Sequence, residues 1–394
     1  MKIVLIILIA VIISSCNSNI KQNNSFPEFE ISIKDNFHLS EWDDQIEDIH
    51  FIPLETKNKI IMGEIQKIIF KNNRIFIKCW KSGIFIFDEE GRFINLIGQK
   101  GKAPFQVNHL FDFSISSEGR IYLLDNGKLL IFNQDGHPIS ESFFDIKNKK
   151  LGHTINLYAF NTDTLYFWHK SDEVEYKYHL TLSDSTGDIK KMMMPYTHFS
   201  FAASRFIQCG GKKEEWGITP QSLKDTIFSI INGKVTPKFR IKFIDNNENI
   251  PDLTPNNWID YNKSDQLLQY ELEHDISTIV TDIVYNANHL IVVARNVKRG
   301  LFKQVLINTS THNITYFDIT KKPENLFYPQ MFYLSYNGYF VSSMDAWQAR
   351  RLIDENKTSA PFITETRRLQ LLEKLKDVKE TDNPVLMLVT FKEQ

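Results

Sequence analysis

The stretch Arg74-Ile75-Phe76-Ile77, followed after a polar turn by Gly83-Ile84-Phe85-Ile86-Phe87-Asp88-Glu89-Glu90-Gly91, decides the fold. It is echoed 45 to 46 residues later by Arg120-Ile121-Tyr122-Leu123 and Lys128-Leu129-Leu130-Ile131-Phe132-Asn133-Gln134-Asp135-Gly136. Each copy is two strand-length runs of β-branched and aromatic residues, closed by an acidic or amide turn ending in glycine, where positive φ is cheap. Degenerate copies follow. Leu165-Tyr166-Phe167-Trp168 leads to Asp184-Ser185-Thr186-Gly187, and Thr226-Ile227-Phe228-Ser229-Ile230 to Asn232-Gly233; Leu290-Ile291-Val292-Val293 and Asn337-Gly338-Tyr339-Phe340-Val341 come later. The turn glycines 91, 136, 187 and 233 are spaced 45, 51 and 46 residues apart. A strand-built period of this length matches a four-stranded propeller blade better than any helical repeat.

Working outward, 394 residues with 42% hydrophobic and 24% charged side chains suffice for one large globular unit. The 30 Phe, 14 Tyr and 6 Trp favour pleated, half-buried surfaces over helix bundles. Three stretches fall outside the repeat, 16–45, 244–275 and 346–382. The remainder holds about six blades of roughly 47 residues. The expected fold is therefore all-β, a six-bladed β-propeller over residues 46–394 with short helical insertions. A ring must close, because an open sheet edge leaves backbone groups unpaired. The runs Asp48-Ile49-His50-Phe51-Ile52-Pro53-Leu54 and Pro384-Val385-Leu386-Met387-Leu388-Val389-Thr390-Phe391 lack sequence-adjacent partners and are expected to share one blade.

In the insertions, Leu369, Leu372, Leu375 and Val378 recur every three residues across Thr364 to Lys379, and predict a helix with Arg367, Arg368, Lys374 and Lys376 mostly on other faces. Such a helix either binds a partner or packs on the rim of the last blade. Ser264 to His274 predicts a second helix, with Leu267, Leu268 and Leu272 as its apolar contacts.

The segments Phe51-Ile52-Pro53-Leu54-Glu55-Thr56, Ile97-Gly98-Gln99-Lys100-Gly101, Asp112-Phe113, Asp225-Thr226-Ile227-Phe228 and Asp382-Asn383-Pro384-Val385-Leu386-Met387 resemble the six-bladed, NHL-like β-propeller lipoproteins common in Bacteroidota. The resemblance covers the chain from about residue 46 to its end and implies a fold and a cell-envelope setting. It implies no particular activity. Where relatives tend to carry Gly-x-Gly-Pro-Gly-Glu, this chain has Gly101-Lys102-Ala103-Pro104-Phe105-Gln106 and loses a glycine and the acid.

The first residues supply an address. Lys2, the apolar run Ile3 to Ile13 and Ser14-Ser15-Cys16 form a basic, an apolar and a cleavage region, so residues 1–15 read as a signal peptide too short to span a membrane. Ile13-Ser14-Ser15-Cys16 resembles the lipobox of bacterial lipoproteins, which implies acylation of Cys16 and anchorage in the membrane. Residues 16–45 then read as the acylated cysteine and a polar tether, of which the eleven residues Asn17 to Pro27 reach at most about 40 Å. Asn17-Ser18-Asn19-Ile20-Lys21 lacks the acidic cluster associated with surface export in such lipoproteins, which by resemblance favours a periplasm-facing position.

A formal net charge of −2 argues against a protein that binds nucleic acid by neutralising phosphates. No Gly-x-Ser-x-Gly, His-Glu-x-x-His or phosphate-binding loop occurs, and no closely spaced His/Cys set supports a zinc site. Cys79 and Cys209 sit in strand-like settings, where pairing and burial as free thiols both remain open. His109, Asp112, Asp125, His153, His169 and His289 lie at or near predicted strand ends and are the candidates to converge at a channel mouth. Trp80, Trp168, Trp216, Trp258 and Trp347 are candidates for a stacking surface. Asp245-Asn246-Asn247-Glu248-Asn249 reads as a solvated loop whose carbonyl-bearing side chains could help hold a structural calcium ion, which needs six to eight oxygens, and no other cofactor is expected. Two functions compete: a tethered module recognising a protein, peptide or glycan, and a metal-dependent lactonase- or lyase-like propeller enzyme that scatters its site over several blades.

Overall fold

The structure is a computed structural model, which describes residues 26–34, 42–57, 60–80, 82–143, 153–170, 178–195, 206–210, 215–219, 225–246, 264–318 and 324–393. Two strands precede the first complete sheet, β1 (Glu28–Ile31) and β2 (Ile46–Pro53). Blade one is β3 (Ile65–Lys71), β4 (Arg74–Cys79), β5 (Gly83–Asp88) and β6 (Phe93–Ile97). Blade two is β7 (Asp112–Ile115), β8 (Ile121–Asp125), β9 (Lys128–Phe132) and β10 (Pro138–Phe143). Blade three is β11 (His153–Asn161), β12 (Thr164–Lys170), β13 (Tyr178–Ser183) and β14 (Ile189–Pro195). Blade four is β15 (Phe206–Cys209), β16 (Glu215–Ile218), β17 (Thr226–Ile231) and β18 (Lys234–Phe243). Helix α1 (Ser264–His274) leads into blade five, β19 (Ser277–Tyr285), β20 (His289–Asn296), β21 (Leu301–Asn308) and β22 (Ile314–Asp318). Blade six holds β23 (Phe332–Tyr336) and β24 (Tyr339–Met344), then α2 (Ala346–Asp354), α3 (Glu365–Leu375) and β25 (Val385–Phe391).

The sixth sheet has the order β2-β25-β24-β23, so the early strand β2 completes the last blade. Its antiparallel register runs from Ile46 opposite Phe391 to Pro53 opposite Val385. The six sheets form a six-bladed propeller whose inner strands, β3, β7, β11, β15, β19 and β23, adjoin around the axis. We call the face where these inner strands begin the top.

The repeat has a local cause. Asp88 accepts from the amides of Glu90 and Arg92, Asn133 from Asp135 and His137, and Asp184 from Thr186 and Asp188. One Asx turn is thus built three times between the third and fourth strands of a blade. The glycine ending it has φ +85° at Gly91 and +86° at Gly136, and each backbone presses on the preceding blade, Gly91 on Pro53 and Gly136 on Asn95 and Ile97. Gly233 serves differently, with Asn232 in a two-residue hairpin turn. Strands β4 and β5 are almost wholly buried because blades pack on both faces, so their sequences read as continuous apolar runs.

The fold starts ahead of residue 46. Strand β1 adds a fifth, parallel strand to blade four, from Glu28 opposite Arg240 to Ile31 opposite Phe243. Asp245 Oδ2 then accepts from Ser32 Oγ and the amides of Ile33 and Lys34, while Trp42 stacks on Phe317 at 3.7 Å. A single added strand has no counterpart within the repeat, so periodicity does not reveal it. Cys16 and most of the expected tether lie outside the described residues.

Both insertion helices form. Of the expected apolar face, Leu375 is buried and Leu372 and Val378 pack against the core, while Leu369 is exposed and Leu371, one turn before Leu375, is buried in its place. Arg367 clamps α3 to β2, its Nε and Nη2 donating to the two Asp48 oxygens at 3.0 and 2.9 Å and Nη2 also to the Ile49 carbonyl. Of the two roles open to this helix, the geometry is that of packing on the last blade.

Candidate functional site

A cleft of about 510 Å³ opens on the top face where blade six meets blade one. Its walls come from four short segments that the ring brings together: Met62 to Ile65 before β3, Gln330 to Tyr333 at β23, Ser343 to Trp347 from β24 into α2, and Glu380 to Pro384 before β25. Helix α2 buries Ala346, Gln348, Ala349 and Leu352, which leaves Trp347 on the outward side, 45% exposed. Asp345, at the helix N-cap, makes no capping bond with its side chain; its Oδ2 accepts from Trp347 Nε1 at 3.2 Å and orients the ring. Opposite, Ser343 Oγ donates to the Tyr333 hydroxyl at 3.2 Å.

Asn383 joins the walls. Buried to 2% exposure, its Oδ1 accepts from the Met62 amide at 2.8 Å, its Nδ2 donates to the carbonyls of Glu55 and Ile60, and its own amide donates to Thr56 Oγ1. Glu64, Asp345, Glu380 and Asp382 line the cleft, and among the described residues no Lys, Arg or His does. The Asp382 carboxylate accepts from the Lys379 amide at 2.8 Å, closing a local turn. Among the described residues, no three His, Cys, Asp or Glu side chains come close enough to hold a metal ion.

The family described as Domain of unknown function (DUF4934) matches residues 28–390, from the first residue of β1 into β25. The chain belongs to this family. Among solved structures, a Bacteroides fragilis protein described as exported is similar over 93% of this chain and 100% of its own, with 19% identity and a TM-score of 0.71. That likeness shows the propeller fold. A second, a member of a family designated DUF4221 from Bacteroides vulgatus, covers 89% of this chain and 99% of its own at 12% identity and a TM-score of 0.49. No curated protein matches.

In this DUF4934 propeller the six residues expected at a channel mouth are not gathered at one place. His109 is exposed in the loop before β7, and its amide donates to Asp125 Oδ1. Asp125 is buried and also accepts from the amides of Asn108 and Asn126, so its carboxylate shapes that loop. Asp112 is buried on inner strand β7; Lys67 Nζ donates to both its oxygens at 2.9 and 3.0 Å, and the Leu157 amide to Oδ2 at 2.8 Å. Asp112 therefore ties three successive inner strands together. His169 is buried between Thr154 Oγ1 and Thr181 Oγ1, at 3.1 and 2.7 Å. His289 begins β20 on the opposite, bottom face, with Nε2 3.2 Å from the Lys392 carbonyl; burial lowers its pKa. His153 opens β11 at the top, and its side chain lies outside the described residues. The axis itself is crossed by Gln208, whose side-chain amide exchanges two hydrogen bonds with the backbone of Phe70 as a strand would.

Trp168 and Trp216 are buried in blade cores, Trp80 and Trp347 are exposed on the top side, and Trp258 lies outside the described residues. Asp245 holds the β1 arm, and Asn246 bonds the Ser277 amide and carbonyl; residues 247–249 of the expected calcium loop lie outside the described residues. Cys79 and Cys209 are free and in different blades, and burial pushes both thiols up to about 12. Sequence reasoning flags Trp347 and the 346–382 insertion that carries Glu380 and Asp382, but it does not single out Glu64 or Asp345, which line the same cleft only once the ring closes.

Proposed function

We propose that this protein is a lipid-anchored envelope module whose propeller recognises a partner polypeptide in the cleft between blades six and one. The observation carrying this reading is the cleft's exposed apolar side chains. Met331 and Trp347, both in the lining, are 43% and 45% exposed; outside the lining, Ile61, 58% exposed, precedes Met62 in the chain, and Trp80, 56% exposed, donates its amide to the Glu64 carbonyl. Apolar side chains left open around a concavity on a rigid scaffold are the usual mark of a binding surface. The lipobox-like Ile13-Ser14-Ser15-Cys16 supports the anchor, and the absence of acids in Asn17 to Lys21 supports a periplasm-facing position.

Two measurements test this. Palmitate labelling of the protein in cells should disappear in Cys16→Ser, and unchanged labelling would remove the anchor. Peptides selected from a displayed random library on the full-length protein should lose binding in the variant carrying Trp347→Ala and Met331→Ala. Selected peptides indifferent to both changes would put recognition elsewhere.

A further inference from the structure

The chemistry of the cleft also points to the kind of polypeptide that fits it. Resting on the recognition function above, we propose that the cleft takes a basic peptide segment, with an arginine or lysine side chain inserted among Glu64, Asp345, Glu380 and Asp382 and laid against the Trp347 ring.

Charge is the first ground. Elsewhere in this propeller many carboxyl groups are matched: Asp112 with Lys67, Glu141 with Lys128, Glu271 with Arg295, Asp48 with Arg367, and Asp275 with Arg299. The four acids of the cleft come from three separate chain segments, and among the described residues its walls carry no cationic side chain. Four acids thus line one concavity with no counter-charge in the described lining, and such a surface favours a cationic partner.

The second ground is the nature of the apolar surface. Trp347 is fixed by Asp345 at the wall, and an indole face attracts a guanidinium or ammonium group. Met62, Met331 and Tyr333 give a polarisable surface for the methylene stem of such a side chain. The cleft volume, about 510 Å³, lies within the range of roughly 300–1,000 Å³ usual for specific pockets. Ile61 and Trp80 extend exposed apolar surface beyond the cleft, which suits a peptide with a hydrophobic residue beside its basic one better than a free amine.

The test uses full-length protein in detergent and titration calorimetry with three acetylated, amidated pentapeptides, Ala-Leu-Xaa-Leu-Ala, with arginine, citrulline or glutamate at the centre. Citrulline keeps the shape of arginine and removes its charge. The arginine peptide should bind at least roughly tenfold more tightly than the citrulline peptide, with the advantage shrinking as salt rises, and the glutamate peptide should bind least. Glu64→Gln with Glu380→Gln, both isosteric and at exposed positions that leave the Asp345–Trp347 bond in place, should erase most of the arginine advantage and weaken citrulline binding far less. Equal binding of arginine and citrulline peptides, both weakened by Trp347→Ala, would overturn the basic-peptide inference and leave recognition standing. Binding of none of the peptides, or binding indifferent to Trp347→Ala, would overturn the inference, and the indifferent case would count against the cleft itself. Thermal melts of each variant separate loss of binding from loss of fold.

Discussion

Asn383 is one polar residue before an apolar strand, and three hydrogen bonds of its side chain hold the backbone of Glu55, Ile60 and Met62 against the last blade. Replacing it with alanine strands a buried amide and two carbonyls, each costing about 1–3 kcal/mol unless water reaches it. Asn383→Ala should therefore destabilise the protein by on the order of 3 kcal/mol and loosen the cleft wall at Met62, readable as a lowered Tm and as faster hydrogen exchange at Met62. Asp275 offers a pH test. Hydrogen bonding from Arg299, opposed by partial burial and aided by Asn296 and Lys34, holds its pKa at about 2. A carboxyl held below its unfolded value stabilises the fold at pH above the ordinary carboxylate range, and that stabilisation is lost as pH falls through about 2. The Tm gap between wild type and Asp275→Asn should be widest near neutral pH and close as the pH falls towards about 2; a gap constant with pH would exclude this role.

At the scale of elements, the repeat is legible in the sequence because one turn recurs. Asp88, Asn133 and Asp184 each seed it, and at the end of β21 Asn308 accepts from Ser310 and Thr311 in a longer version with His312 at φ +62°. A β-carbon on Gly91 would meet both a positive φ of +85° and the Pro53 carbonyl of the neighbouring blade. Gly91→Ala should then cost more than the roughly 1–2 kcal/mol of a left-handed residue alone, whereas Gly338→Ala, with φ +88° and open space around it, should cost only that amount. Comparative denaturant melts read the difference. The leucine spacing finds Leu372, Leu375 and Val378 on the packed side of α3 but misplaces Leu369, because a three-residue period drifts around a helix; Leu371, one turn before Leu375, is buried instead. The β1 arm is hidden for a different reason: Glu28 to Ile31 is a single short strand whose partner, β18, lies more than two hundred residues away.

At the scale of the molecule, closure governs both stability and site. Strand β25 is buried at six of its seven positions. At about 1.5–3 kcal/mol for each large apolar side chain, its removal forfeits on the order of 10 kcal/mol, comparable to the whole stability of a typical domain. Deleting residues 383–394 should abolish the cooperative thermal transition of the entire ring. The cleft is illegible in the sequence for the same topological reason: Glu64 and Glu380 come to line one cleft only when β2 joins β25, and no local spacing announces it. The likeness to the Bacteroides fragilis structure shows the scaffold, while the function proposed for this chain lies in the cleft. In-cell photocrosslinking tests recognition there, with a benzophenone amino acid placed either at Met331 in the cleft or at Phe143, 76% exposed on blade two. A discrete protein adduct should form from position 331 and be removed by Trp347→Ala, and none should form from position 143. Equal adducts from both positions, or none from position 331, would contradict recognition at the cleft.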